Sequence, residues 1–427
     1  MSQQKEFLGG ALHQVSEASR RVRNTPSEVQ FAGRIREKGF NSVTLTQCNS
    51  IASFLKLLYE WDQNPNEDFN VHHMTHEHSI PGVIAGIYLG SGDHSAAIFQ
   101  NSGLANFGDG VISFAENYGI PLLAISTFRG IGEISRPHQS WAGKTIAIAR
   151  AFVGQKGVFG SALGLNILES LDKAADLVLD EENPGQAILL LPKTALRETL
   201  PKSSPNKGDT DYHDLPLEVR AYKGTNKADY LEIEEVSRDE ALLEIVNRHP
   251  DALHIPCNGF TARAMLKVKD RLGNFYNAAY MGGGKAIGYG AAISNPDLEV
   301  VVIDGDENAQ MGNPMYDILA HNYPKNLHIY TLNNGGASSV DAAVPSVPLA
   351  YYHYDMTHVI RTRIDDSREF KHPRVEEGVW DMFDESDAEI LKKEGLELKE
   401  ITRRVRRWVT QDDKKIVNNL PQVFKIA

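Results

Sequence analysis

Nothing constrains the folding of this chain more than the stretch from Glu299 to Ser339, EVVVIDGDENAQMGNPMYDILAHNYPKNLHIYTLNNGGASS. A run of Val and Ile ends at Gly305-Asp306-Glu307, and a second apolar run, LHIYTL, ends at Asn333-Asn334-Gly335-Gly336. Each run reads as a fully buried strand. The segment from Met315 to Asn322 supplies a short crossover helix. A βαβ unit of this kind runs its strands parallel and carries both polar tips to one carboxyl edge of the sheet. A carboxylate, a side-chain amide and glycine-exposed carbonyls then converge there. Hard divalent cations such as Mg2+ take that kind of oxygen donor, usually few from protein and the rest from phosphate.

The remainder of the chain repeats the same grammar. SVTL, FNVHHM, SAAIFQ, IPLLAIST and QAILLLP read as strands, and helix-patterned segments lie between them. They include IASFLKLLYEW with Ser50 as its cap, Pro81 to Leu89, Trp141 to Phe152 and Ile167 to Asp180. Strand, polar tip and helix in alternation predict a doubly wound parallel sheet. The pattern breaks at residues 199–235, rich in Pro, Lys, Asp and Ser, and resumes at Ser237 with the capped helix SRDEALLEIVNRHP. Two α/β domains follow: residues 1–198 with a leader over about 1–26, and residues 236–427 with a charged helical C-terminal tail. The linker between them is 199–235.

A chain of 427 residues with net charge −12 has room for two sizeable cores and offers nucleic acid no long basic patch. RRVRR at Arg403–Arg407 is the exception, and its flanking apolar spacing makes it a solvated helix face. No apolar run approaches a membrane span. The start MSQQKEFLGG has no signal-like core, and Cys48 and Cys257 stand far apart, which points to the reducing cytoplasm.

The chemistry concentrates at strand tips. Asp306 and Asn334 form a GD…NN pair, although Asx residues also favour tight turns after strands. Just upstream, Met281-Gly282-Gly283-Gly284-Lys285 opens a helix whose backbone N–H groups are suited to a diphosphate. It is neither a dinucleotide fingerprint, because Ile287 replaces the third glycine, nor a P-loop, because Ala286 follows Lys285. Glu77 ends a strand before the apolar SIPGVIAG, where a carboxyl is partly desolvated. Gln100, Asn101, Ser102 and Asn106 place amides and a hydroxyl at another tip, and Arg129 at a third could pair with a dianion. His72, His76 and His78 share a strand face without an evident fourth metal ligand.

Taken together, Gly305-Asp306 with Asn333-Asn334, AYMGGGKAIGYG, QNSGLAN, FRG at Phe128–Gly130 and Glu77 resemble the thiamine-diphosphate-dependent 2-oxoacid decarboxylases. The similarity is greatest to the compact phosphonopyruvate and sulfopyruvate decarboxylases and spans roughly residues 40–345. It implies the thiamine-diphosphate-binding fold, with a pyrimidine-binding and a diphosphate-binding domain. It also implies Mg2+ held by Asp306, Asn334 and the Gly336 carbonyl. In this resemblance Gly282, Gly305 and Asn308 join the cofactor site, Met281 props the cofactor, and the Ala279 carbonyl accepts from its aminopyrimidine. Glu77, from a second subunit, bonds the pyrimidine ring nitrogen. Asn101, Ser102 and His138 are then catalytic candidates, and Gln100, Asn101, Arg129 and Lys285 substrate-binding ones. A homodimer or homotetramer with interfacial sites is expected.

The expected reaction is decarboxylation of a 3-substituted pyruvate, with 3-phosphonopyruvate to phosphonoacetaldehyde and CO2 as first candidate. Sulfopyruvate decarboxylation, a carboligase using the same cofactor, and a non-catalytic scaffold subunit are the alternatives. The chain departs from the family at Glu307, where a glycine is usual, and at Lys285, where a small hydroxyl residue is. These two are expected to pair. Arg136 and His138 stand where the family carries an acidic-Pro-Gln-His order.

Overall fold

The computed structural model describes residues 25–160, 166–198, 236–334, 357–362, 392 and 396–410. The Gly336 site, most of the leader, the segment 199–235 and much of the C-terminal tail lie outside the described residues.

The first half forms a six-stranded, wholly parallel sheet in the order β2-β1-β3-β4-β6-β5. Its strands are β1 (Phe40–Leu45), β2 (Asn70–His73), β3 (His94–Gln100), β4 (Leu122–Phe128), β5 (Val158–Gly160) and β6 (Gln186–Pro192). The second half adds a four-stranded parallel sheet, β10-β9-β8-β7. Here β7 is Leu253–Pro256, β8 Val300–Gly305, β9 Leu327–Asn333 and β10 Thr357–Arg361. Helices cover both faces of the first sheet, so its central strands are apolar along their whole length: every residue of β4 is buried. One core lies between β1, β3, β4, β6 and the outer helices Glu28–Glu37, Ala52–Asp62 and Ile167–Val178. The other core is continuous through both halves.

Local signals explain most boundaries. Ser27 and Ser237 each open a helix with a reciprocal capping box, through Gln30 and Glu240. Pro81 sits in the first turn of the Ile80–Gly90 helix. Ser50 does not cap its helix: its hydroxyl meets the Cys48 thiol, and the helix begins at Ala52 after a 3-10 turn. The crossover between β8 and β9 is two short helices, Asp306–Met311 and Pro314–His321, split by Gly312 and Pro314. The Arg403–Arg407 cluster is not a uniformly solvated face. Arg404 forks onto Asp270 and donates to the Asn274 carbonyl, while Arg406 reaches the Leu89 carbonyl. The Leu398–Val409 helix thereby straps the two halves together, with the Thr402 hydroxyl on the Tyr118 carbonyl.

The halves join chiefly where the Ile80–Gly90 helix lies on the Gly284–Ser294 helix. Gly82, Gly86 and Gly90 recur at four-residue intervals along one side and meet Ala286, Ile287, Gly290 and Ala291. A Cβ at Gly86 would lie 2.1 Å from the Ile287 carbonyl oxygen, and one at Gly290 2.2 Å from that of Val83. Backbone, not side chain, sets the separation. Gly86→Ala is expected to cost about 1–3 kcal/mol or more of unfolding free energy through overpacking. Gly33→Ala, in a helix with open space around that position, should instead stabilise by about 0.5–1 kcal/mol. Urea-unfolding midpoints check both signs.

Candidate active site

At the carboxyl edge of the second sheet, Asp306 is buried and begins the helix that follows β8, while Asn334 follows β9. They line one cleft with Met281, Gly305, Glu307, Asn308, Leu332, Asn258, Gly259, Phe260, Thr261, Arg238 and Thr362. The pairing of Gly305 with Leu332 in the β8–β9 register is what places the two polar tips together. Nothing but the distant Thr261 hydroxyl approaches a Cβ built on Gly305, so the backbone there is open to a ligand. The Gly282 N–H donates to Asn308 Oδ1 at 2.7 Å, and Gly282 has φ +74°, a conformation glycine adopts without strain. Asn308 therefore braces the glycine turn, and its other amide group goes to Asp304.

Lys285 corrects two expectations. Its ammonium is fully buried, 2.9 Å from Asp304 Oδ2 and 2.8 Å from the Ala309 carbonyl. It pairs with Asp304, not Glu307, and does not line the cleft. Burial works to lower its pKa, but Asp304 and Tyr316 outweigh that and raise it. Glu307 keeps its place in the cleft, where burial and Asp306 hold its carboxyl above the ordinary value.

The pyrimidine-side tips assemble around Glu77. Its two carboxylate oxygens accept from the Thr46 hydroxyl at 3.1 Å and the Asn106 amide at 3.0 Å. Gly103 lies directly beneath, since a Cβ there would sit 2.5 Å from Glu77 Cγ. Gly103 and Asn106 of QNSGLAN thus seat the glutamate. Asn101, expected to act on substrate, is wholly buried and donates to the Thr145 hydroxyl and the Arg129 carbonyl. It ties two strand tips to a helix. Arg129 forks onto Glu133 at 2.8 and 3.1 Å and donates to Gln100 Oε1 at 2.9 Å. Each partner shifts the other, Glu133 raising the Arg129 pKa and Arg129 lowering that of Glu133. Ser102 accepts from Gln100 at the same rim. His138 is half-buried beside this ion pair and helps lower the Glu133 pKa. His76 Nδ1 caps the turn by accepting from the His78 N–H, and His78 Nε2 stands 3.7 Å from Asp109.

Both halves of the site meet within one chain. The Tyr280 hydroxyl donates to the His78 carbonyl, and their rings lie 4.9 Å apart. Tyr280 is flanked by Ala279 and Met281, and Asn277 holds it by bonds to both its N–H and its carbonyl. Tyr118 adds a second brace across the halves, accepting from the Ala278 N–H and donating to the Tyr276 carbonyl. Within the chain, the turn that carries Glu77 packs beside the loop that carries Met281.

Arg238, the residue missed by sequence reasoning that changes the cleft most, is the first residue of its helix. It is buried, lines the cleft and stacks 5.4 Å from the Phe260 ring centre. Arg263 approaches the same ring at 5.5 Å. A buried cation at a helix N-terminus, where the dipole opposes it, was the available signal.

Two parallel α/β halves, an acid–amide pair at a sheet edge and a glutamate at the facing edge define a thiamine-diphosphate-binding fold. Solved structures bear this out. The 4-hydroxybenzoylformate decarboxylase of Rhodococcus jostii RHA1, described as thiamine diphosphate-dependent, matches with a TM-score of 0.55 at 12% identity, over 83% of this chain and 100% of that one. The benzoylformate decarboxylase of Polynucleobacter necessarius matches at 0.56 and 10%, over 80% and 99%. In sequence the chain is similar to the phosphonopyruvate decarboxylase of Streptomyces hygroscopicus, 28% identical over 61% of this chain and 62% of that protein. The sulfopyruvate decarboxylase of Methanosarcina acetivorans is 24% identical over 71% and 75%. The resemblance read from the motifs is therefore to the same family of decarboxylases. The chain spans less than two thirds of the length of the phosphonopyruvate decarboxylase it matches. No family model matches the chain.

Removing Lys285 leaves Asp304 in the interior without its cation, so Lys285→Met should destabilise by about 3–5 kcal/mol. The double variant Lys285→Met/Asp304→Leu should recover much of that loss. A chemical-denaturation double-mutant cycle reads it, and the corresponding cycle of Lys285 with Glu307 should show no comparable coupling.

Proposed function

We propose that the protein is a thiamine-diphosphate- and Mg2+-dependent decarboxylase of a 2-oxoacid, with a 3-substituted pyruvate as substrate. Phosphonopyruvate, giving phosphonoacetaldehyde and CO2, is the first candidate. The observation that carries this reading is the junction of the Glu77 turn with the Ala279–Met281 loop beside the Asp306–Asn334 cleft. The donor set fits the cofactor: Asp306 and Asn334 are oxygen ligands suited to Mg2+, and the cleft floor offers a helix N-terminus at Asp306. Arg238 supplies a positive wall for a diphosphate. The cytoplasm is the proposed location, supported by two unbridged, buried thiols, Cys48 and Cys257. Among the described residues no helix is long and apolar enough to cross a membrane.

Thiamine diphosphate, when bound, supplies the carbon nucleophile and electron sink for loss of CO2 from a 2-oxoacid. The chain's residues supply the rest. Glu77, held by Thr46 and Asn106, presents a carboxyl that can hold or pass a proton at a ring nitrogen. Met281 and the Ala279 carbonyl orient the ring system from the other wall. The Gln100–Arg129–Glu133 cluster, with Ser102 and His138 at its rim, stands as the substrate-facing polar surface in this proposal. Its net charge is close to neutral, so the Arg129 fork orients a substrate only alongside or in place of Glu133.

Calorimetry with thiamine diphosphate and Mg2+ should show binding by wild type, none by Asp306→Ala, and roughly 10–100-fold weaker binding by Arg238→Ala, as expected for loss of a charge-assisted contact. Glu77→Gln should keep the cofactor and lose about 10²–10⁴ in kcat. Product analysis with phosphonopyruvate, sulfopyruvate and pyruvate identifies the substrate. Absence of wild-type cofactor binding would overturn the proposal.

Assembly of the site within one chain has its own test. Mixing Glu77→Gln with Asp306→Ala, after co-refolding, should restore no activity, because each chain then carries one broken half of its own site. Recovery toward a quarter of wild type would mean that Glu77 acts across a subunit boundary.

A further inference from the structure

The opposite edge of the second sheet carries a group that the decarboxylase reading does not use. His249 follows the Arg238–Arg248 helix as it turns toward β7, Glu299 immediately precedes β8, and His328 is the second residue of β9. Parallel pairing brings these three entries to one place, with His328 in register with Val301 and the Leu253 N–H bonded to the Glu299 carbonyl. His249 Nδ1 lies 2.8 Å from Glu299 Oε1, and His328 Nε2 lies 3.3 Å from the same oxygen. The two imidazole rings are 4.4 Å apart, and the three ligand atoms all fall within 4.8 Å of one another.

We propose that His249, Glu299 and His328 form a binding site for a divalent transition metal of the zinc class, at the amino edge of the sheet. Two imidazole nitrogens and one carboxylate oxygen are a borderline donor set that suits Zn2+, whereas Mg2+ selects oxygen. Metal–ligand distances of about 2.1 Å in a tetrahedron place donor atoms ~3.4 Å apart. The observed 2.8 and 3.3 Å separations need only small side-chain adjustments to reach that spacing. The far nitrogen of His249 is already held: Nε2 is 2.8 Å from the Tyr330 hydroxyl. Such a partner on the outward nitrogen orients a metal-binding histidine and raises its basicity. The histidine side chains are 6% and 16% exposed and that of Glu299 41%, so an ion enters from the carboxylate side and a water completes its coordination. Six residues of β8 separate this edge from the Asp306 cleft, roughly 20 Å at a strand's rise per residue. The ion's role there is structural. It fastens the helix end at His249 to the starts of β8 and β9, stabilising the frame on which the diphosphate-side tips stand.

The two donor chemistries make the test separable. Chelator-stripped full-length protein in excess Mg2+ is titrated with Zn2+, and bound zinc per chain is measured by equilibrium dialysis with elemental analysis. Wild type and Asp306→Ala should each bind one Zn2+ tightly, with a rise in melting temperature. His328→Gln and Glu299→Gln should lose that ion and the thermal shift, and Tyr330→Phe should bind about 10–100-fold more weakly. Co2+ substitution should give visible absorption bands that Glu299→Gln abolishes. Glu299 is the exposed member of the set, so Glu299→Gln stays informative where a histidine variant fails to fold. Zinc binding unchanged in Glu299→Gln, no stoichiometric zinc in wild type, or loss of zinc in Asp306→Ala would each overturn the proposal. The outcome does not depend on decarboxylase activity, and failure of one leaves the other standing.

Discussion

Glycine-to-backbone contact between the Ile80–Gly90 and Gly284–Ser294 helices is the constraint on which the rest of the site depends. The first of these helices starts three residues after Glu77, and the second starts directly after Met281-Gly282-Gly283. Two helix axes that approach until backbone meets backbone leave little freedom to slide. Their starts, and the turns attached to them, are held in one relative position. Tyr280 and Tyr118 then lock the loop between them by hydrogen bonds that cross the two halves. A larger residue at Gly86 or Gly290 would separate the helices and, with them, the glutamate from the cleft.

Charge is distributed on the same frame. Asp304, Asp306 and Glu307 fall within four residues, a concentration of negative charge that an interior cannot hold without compensation. Lys285 neutralises Asp304 behind the wall, which leaves Asp306 and Glu307 facing the cleft, with Arg238 also lining it. On the pyrimidine side, Arg129 and Glu133 neutralise each other at the rim. The second sheet therefore presents an oxygen-rich carboxyl edge and a histidine-bearing amino edge, two ends of the same strands with different donor chemistry.

Much of the architecture was legible in residue order. Continuous Val/Ile/Leu runs identified the central strands because both faces of a parallel sheet are covered, and the serine cap at Ser237 located one helix start. The three-residue β5 was missed, being too short to show periodicity. The Leu398–Val409 helix was anticipated, but its role was not: whether an arginine meets water or Asp270 depends on what lies opposite, and nothing local records that. The same limit explains Asn101 and Arg129. Both stand at strand tips, as predicted, yet Asn101 donates to Thr145 and Arg129 forks onto Glu133, partners that come from the following helix and turn.

What the sequence determined by itself is the identity and order of the polar tips: Glu77, the MGGGK turn, Asp306 and Asn334. Each follows from an apolar run that must be buried and a break that must surface. What only the tertiary structure decided is which tips share a space and which charges cancel. Lys285 with Asp304, Glu77 with Thr46 and Asn106, Arg238 against Phe260, and His249 with Glu299 and His328 are all contacts between segments distant in sequence. The physical reason is that a strand's hydrophobicity specifies burial but not neighbour, and neighbour is set by sheet order, register and the closeness of two glycine-faced helices.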